Sequence, residues 1–118
     1  MLVDLGRNDL GIVSKPGTVR VTKLKEVQNF SHVMHIASFV QGELKEELDS
    51  LDALKATLPA GTLSGAPKIR AMEIIDELES VRRGPYGGAI CFIDHAKNLQ
   101  SCIGIRMAMI KEIGRAHV

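Results

Sequence analysis

Residues 61–72 read Gly61-Thr62-Leu63-Ser64-Gly65-Ala66-Pro67-Lys68-Ile69-Arg70-Ala71-Met72, a glycine-bounded polar loop that runs into a helix start. Pro67 is expected at the first helical position, where a missing amide hydrogen costs nothing and the fixed φ suits the helix. The N–H groups around Ser64, Gly65 and Ala66 are then free to face a carboxylate or phosphate, with the helix dipole behind them. The plainer alternative is a capped helix start in which Ser64 satisfies backbone donors. Three residues separate Gly61 from Gly65 and no Gly-Lys-Ser/Thr follows, so Lys68 does not belong to a nucleotide-triphosphate loop.

Beyond the loop, Ile69, Met72, Ile75 and Leu78 recur at helical spacing and predict a helix to about Ser80 with that stripe buried. Upstream, Asp49 or Ser50 caps a helix carrying Leu51, Leu54 and Leu58, which Pro59 and Gly61 end. Met1 to about Leu10 read as the end of a helix, and Ser14-Lys15-Pro16-Gly17 as a turn. Alternation predicts strands over Thr18–Thr22, near Glu26–Gln28 and over Ser31–Val40. In the last of these Val33, His35, Ala37 and Phe39 share one face and His32 lies on the other. Downstream, Gly84-Pro85 is a break, Tyr86–Ile93 a strand, Asp94–Asn98 a hairpin turn and Leu99–Ile110 the return strand. Strands, then helices, then a hairpin make an α+β fold of antiparallel sheets with packed helices.

The 118 residues suffice for one small domain, and 45% hydrophobic, 25% charged and a net charge of +1 are ordinary for a globular protein. Basic and acidic residues interleave, and the aromatics are three Phe and one Tyr. This argues against a nucleic-acid partner, which needs a basic stripe or a stacking platform. No apolar run approaches the ~20 residues of a membrane span, and no signal peptide is visible. Cys91 and Cys102 sit in apolar runs without metal-ligand spacing and read as core thiols in a reducing cytoplasm.

Four side chains stand out chemically. Arg106, on the expected last strand, has Gly104 and Ala108 on its own face, which leaves room for a bidentate carboxylate; a structural acid or solvent is the alternative partner. Tyr86, crowded by Gly84, Gly87 and Gly88, either donates its hydroxyl to a ligand or caps a core edge. His35 is either a satisfied core histidine or a general acid/base. Thr62 either caps its own loop or offers a hydroxyl to a ligand.

The loop at 61–72 joins Met1-Leu2-Val3-Asp4-Leu5-Gly6-Arg7-Asn8-Asp9-Leu10, Phe30-Ser31-His32-Val33-Met34-His35 and Arg82-Arg83-Gly84-Pro85-Tyr86-Gly87-Gly88-Ala89-Ile90. In this order the four stretches resemble the chorismate-using enzymes, and most closely the anthranilate synthase large-subunit group. The resemblance runs from Met1 to about Lys111. It implies that residues 1–111 are part of a chorismate-binding catalytic domain, in which Arg106, Tyr86, Gly87 and Gly88 bind the substrate carboxylate. Thr62 would hold the reacting end, and His35 would move protons. It further implies Mg²⁺, with one glutamate ligand just upstream of Met1 and another beyond Val118, none within this chain. The parent would convert chorismate and ammonia to anthranilate and pyruvate for tryptophan biosynthesis, with a glutamine amidotransferase subunit as ammonia source. The isolated chain is expected to be inactive. Arg7, Asn8 and Asp9 are expected to pair structurally, and Asp76, Glu77 and Glu79 to form a solvated helix face. Cys91, Ile90 and Phe92 match the region that lines a tryptophan feedback pocket in regulated members, which leaves regulation open. Thr62-Leu63-Ser64, Met34-His35 and Tyr86-Gly87-Gly88 favour anthranilate over the aminodeoxychorismate, isochorismate and salicylate synthases of the same scaffold. A non-enzymatic small-anion binding domain is the rival from another class.

Glu112-Ile113-Gly114-Arg115-Ala116-His117-Val118 coincides with the translation of a common short-read sequencing adapter and reads as a non-native tail, the alternative being a family strand. For the hairpin, pairing Tyr86 with Arg106 on one carboxylate predicts a register of Gly88 with Gly104, Ile90 with Cys102 and Phe92 with Gln100. The turn then centres on Ala96, Cys91 stays off Cys102, and two glycines floor the pocket.

Overall fold

The computed structural model describes residues 1–112 and 115–117. Helix α1 (Leu2–Val13) continues three residues past the expected Leu10 because Leu10 and Val13 extend the half-buried stripe of Val3 and Gly6, and no breaker intervenes before Pro16. Its end is well satisfied. The Ser14 amide donates to the Leu10 carbonyl at 2.9 Å, and the Lys45 ammonium to the Ile12 carbonyl at 2.9 Å. Around that end the chain makes its tightest packing. Lys15 N–H donates to the Glu43 carbonyl (2.7 Å) and Lys45 N–H to the Val13 carbonyl (3.0 Å), closing a bridge between Ser14 and Leu44 over Val13, which is 5% exposed.

Strands β1 (Arg20–Asn29) and β2 (Met34–Gln41) form an antiparallel ribbon. The two short strands expected at 18–22 and 26–28 are one, because a register shift between Lys23 and Glu26, with Lys25 at φ 54°, lets the ladder continue through the break in alternation. The second strand starts at Met34, not Ser31. Ser31 and His32 form the connecting bend, closed by the Phe30 N–H on the Val33 carbonyl at 2.9 Å. His32 and Val33 therefore lie outside the strand. Ile36 and Val40 turn toward α1, which places His35 on the ribbon's other face.

Helix α2 (Ser50–Thr57) is capped as expected by Asp49, whose carboxylate accepts from the Leu51 and Asp52 amides while Asp52 accepts from the Asp49 amide. That backbone donation holds the Asp52 carboxyl below its usual range. The polar loop that follows is not all loop. Gly61–Ser64 wind into a single turn, α3, closed by Gly65 at φ 135°, and Pro67 is the N-cap of α4 (Lys68–Leu78) instead of its first helical residue. Lys68 ties three helices together: its ammonium pairs with Asp9 of α1 at 2.8 Å and donates to the Ala56 carbonyl of α2 at 3.2 Å. Asp9 thus makes the structural pairing read from the sequence. Of the apolar residues of α4, only Ala71 and Ile75 are half-buried. Ile69 and Leu78 are 70% and 78% exposed, so the expected stripe is not buried.

Strands β3 (Ala89–Ile93) and β4 (Leu99–Ile103) form the hairpin. Its turn is held by Asp94, which accepts from the Asn98 amide at 2.9 Å and the Asn98 side chain at 2.8 Å. Ala89 and Ile103 of the hairpin face Leu54 of α2 and its C-cap Leu58 across a small hollow. Strand β5 (Met109–Glu112) pairs with β6 (Arg115–His117). Of the tail at 112–118, residues 113, 114 and 118 lie outside the described residues.

Helices and antiparallel ribbons make this the α+β arrangement anticipated, yet its apolar faces remain largely open. Ile36, Phe92 and Ile90 are 73%, 67% and 62% exposed. Burying one valine contributes about 1.5–3 kcal/mol, far below the cost of ordering the backbone of a chain this long, which at about 1–2 kcal/mol per residue is on the order of 100 kcal/mol. Residues 1–118 expressed alone are therefore expected to bind a hydrophobic dye and to lose circular dichroism gradually on heating. A sharp calorimetric transition with an enthalpy near the ~60–80 kcal/mol of a closed domain of this size would contradict this.

Candidate substrate-binding site

The α3 turn and the turn ahead of β3 meet, and between them they carry Thr62, Tyr86, Gly87 and Gly88. Arg83 closes the second turn: its carbonyl accepts the Tyr86 amide at 3.2 Å, and the Pro85 carbonyl accepts the Gly88 amide at 3.2 Å. Tyr86 therefore sits in a turn, three residues before the start of β3 at Ala89, where the sequence reading had placed it on the strand. Gly84-Pro85 supplies the reason, since a break that strong displaces the strand start by several residues.

The hairpin register agrees with the expectation along most of its length. Ile90 opposes Cys102 and Phe92 opposes Gln100, and the Gly104 amide donates to the Gly88 carbonyl at 2.9 Å. Cys91 opposes Ser101, so the two thiols lie on opposite faces. At Gly87 the phase changes. Its amide donates to the same Gly104 at 2.8 Å with φ 80°, so Gly87 and Gly88 together face one residue in a β-bulge of the glycine type. Beyond it Tyr86 no longer opposes Arg106.

Arg106 is not on a strand either. The return strand ends at Ile103 and resumes at Met109, with the Ile105 amide turned back onto the Ile103 carbonyl at 3.0 Å and Arg106 exposed at φ 54°. The shared face of Gly104, Arg106 and Ala108 is lost with the strand. Nor do the two glycines floor an open pocket, because a Cβ on Gly104 would lie 2.9 Å from the Pro85 carbonyl oxygen. The 83–87 turn itself rests there, and glycine permits that close approach.

Tyr86 instead borders two hollows. One, of about 480 Å³, is lined by Leu63, Ser64, Met72, Ile75, Tyr86 and Gly87 among others. The second, of about 590 Å³, lies between Tyr86 and Met107. Thr62 is exposed on α3, and it is its neighbours Leu63 and Ser64 that wall the first hollow. The Ser64 hydroxyl donates to the Ala60 carbonyl at 3.3 Å, bonding back into its own turn instead of capping α4. His35 is exposed on the β1–β2 ribbon, opposite Gln28 and edge-on to the Phe30 ring at 5.9 Å. The site residues thus fall into a joined group, Thr62 with Tyr86, Gly87 and Gly88, and two separate positions, Arg106 in its bend and His35 on its ribbon.

The sequence pattern of the chorismate-binding enzymes matches residues 1–118. This chain belongs to that family. Over its whole length it is 61% identical to anthranilate synthase component 1 of Acetivibrio thermocellus and 58% identical to that of Pseudomonas aeruginosa, covering 24% of each. The crystal structure of anthranilate synthase component I from Streptococcus pneumoniae TIGR4 superposes with a TM-score of 0.83 at 56% identity, over 92% of this chain and 25% of that one. The chain thus spans about a quarter of the length of these chorismate-binding relatives. None of its described helices is long and apolar enough to cross a membrane. Among the described residues no three His, Cys, Asp or Glu side chains converge.

Glu79 and Arg83 were the residues that sequence reasoning undervalued. Glu79 is no freely solvated acid: the Arg83 guanidinium donates to both its carboxylate oxygens, Nε at 2.8 Å and Nη2 to Oε1, and holds its carboxyl below the usual range. The four-residue spacing on a helix end was the signal available. At Gly87 an alanine would have to adopt φ 80° with its Cβ 3.4 Å from Leu63 Cδ1. In a full-length framework Gly87→Ala is expected to cost about 1 kcal/mol, typical of a side chain forced into the left-handed region, as measured by urea denaturation; an unchanged midpoint would show the bulge to be dispensable.

Proposed function

We propose that this chain is a catalytic segment of an anthranilate synthase large subunit, which converts chorismate and ammonia to anthranilate and pyruvate in tryptophan biosynthesis in the cytoplasm. The observation that carries this reading is the whole-chain likeness to proteins named anthranilate synthase component 1. The meeting of the Thr62 turn with the Tyr86–Gly88 turn supports it. Two short turns approaching from different parts of the chain form a concave, part-polar lining of the kind small-molecule sites use.

In this reading Tyr86 and the backbone at Gly87 and Gly88 receive a carboxylate of chorismate, and Arg106 pairs with it through its planar fork. Thr62 offers its hydroxyl to the reacting end. His35, exposed and free to approach substrate, moves the protons of elimination and aromatisation. A glutamine amidotransferase subunit supplies the ammonia. Mg²⁺, held in the full-length parent by glutamates outside this chain, would neutralise substrate charge.

Residues 1–111 placed into the matching segment of the Acetivibrio thermocellus protein are expected to yield a chimera that forms fluorescent anthranilate from chorismate and ammonium. Aminodeoxychorismate, isochorismate or salicylate as product would assign another member of the family, and chorismate binding without turnover would favour a recognition domain. The chain alone is expected to form no anthranilate.

In that chimera Arg106→Lys should lose about 2–3 kcal/mol of transition-state binding, since a lysine keeps the charge but not the bidentate geometry. His35→Ala should lower kcat with little change in KM, whereas His32→Ala, in the connecting bend, should be near neutral. Equal small effects of the two histidine substitutions would remove His35 from the chemistry.

A further inference from the structure

The α3 turn is too short to hold itself. One helical turn fixes several residues for very few internal hydrogen bonds, among them here the Leu63 amide on the Ala60 carbonyl at 2.9 Å and the Ser64 hydroxyl on the same oxygen. From the other side, Leu5 of α1 fills the space over Gly61 at 3.1 Å from where a Cβ would be. The carbonyl of Leu63 points out of the turn, and it is taken by Arg83 Nη1 at 2.9 Å. The same guanidinium is planted on Glu79 through Nε and Nη2, and Glu79 is the C-cap of α4. The backbone carbonyl of Arg83 meanwhile starts the turn that presents Tyr86.

We propose that Arg83, oriented by Glu79, is a positioning residue that sets the Thr62-bearing turn against the Tyr86–Gly88 turn, so that both approach one substrate with a fixed separation. Its planar fork divides the labour: two N–H groups grip the carboxylate and a third, held in the same plane, meets the Leu63 carbonyl. Side-chain exposures of 34% for Arg83 and 39% for Glu79 mean that the ion pair is open to solvent and salt and adds little to stability as such. What it supplies is geometry, and at a reacting centre displacements near 1 Å are costly. A lysine cannot do the same, because one ammonium on a flexible stem has no fixed plane to span the carboxylate and the carbonyl.

The effect on turnover rests on the function proposed above; the effect on the two turns does not. In the chimera, Arg83→Lys and Arg83→Ala are each expected to raise KM for chorismate by roughly tenfold, the scale of a lost charge-assisted hydrogen bond, with Glu79→Gln intermediate. Amide hydrogen exchange should quicken at Leu63 and Gly87 and stay unchanged within β3 and β4. Arg70→Lys, on the outer face of α4 where Arg70 pairs with Glu73 at 2.8 Å, is the control and should alter neither. Arg83→Lys with unchanged KM and unchanged exchange at both turns would overturn the proposal. So would a general rise in exchange with a lowered melting temperature and an unaltered KM, which marks a merely structural residue. An unsubstituted chimera that makes no anthranilate would instead count against the function, while exchange at Leu63 and Gly87 would still decide the role of Arg83.

Discussion

The ion pair between Asp9 and Lys68 is the constraint on which the helical part depends. It joins the middle of α1 to the first residue of α4 at 2.8 Å, and the Lys68 ammonium adds the Ala56 carbonyl near the end of α2. With 15% and 22% of the two side chains exposed, the charges are partly withdrawn from water, so each needs the other more than a surface pair would. Given that tie, the chain between Thr57 and Lys68 has to close a short arc. The α3 turn is what fits in it, with Leu5 against Gly61 on one side and Ala71 against Gly65 on the other. The ends of the arc that carries Thr62 are thus held by two charges, neither of which is in the turn.

Polar ties of this kind carry more of the architecture than apolar packing does. Asp49 caps α2, Lys45 caps α1, Glu79 and Arg83 link α4 to α3, and Asp94 holds the hairpin turn. The apolar residues are numerous enough for a core, at 45% of the chain, but they are spread over ribbon and helix faces pointing in different directions. An exposed, contiguous apolar face marks a surface that something else covers. The chain spans about a quarter of its relatives' length, and its open faces are consistent with a piece whose packing partners lie elsewhere.

Most elements were legible from local chemistry. The cap at Asp49 and the turn at Asp94–Asn98 follow from side chains a few residues apart, where turn chemistry acts directly, whereas the hairpin register from Gly88 to Phe92 was reached through a Tyr86–Arg106 pairing that the bulge at Gly87 prevents. The misplacements have a common cause. Tyr86 and Arg106 were put on strands because alternation and apolar content continued through them, yet pattern alone cannot reveal a bulge at Gly87 or a return bend after Ile103, both of which arise where two segments collide. His32 likewise looked like strand until the ribbon needed a connection.

By itself, then, the sequence determined the kinds of element, their order, the caps and turns between them, and, through motifs in a family-specific order, the chorismate-binding fold. These are properties of short stretches, encoded in side chains that act on their own neighbourhood. Tertiary structure alone decided which turns meet, that Leu63 and Ser64 rather than Thr62 wall the hollow beside Tyr86, and that Arg83 reaches across twenty residues to the Leu63 carbonyl. Those contacts join residues far apart in the chain, and their geometry depends on the summed path of every element between them, which no local pattern records.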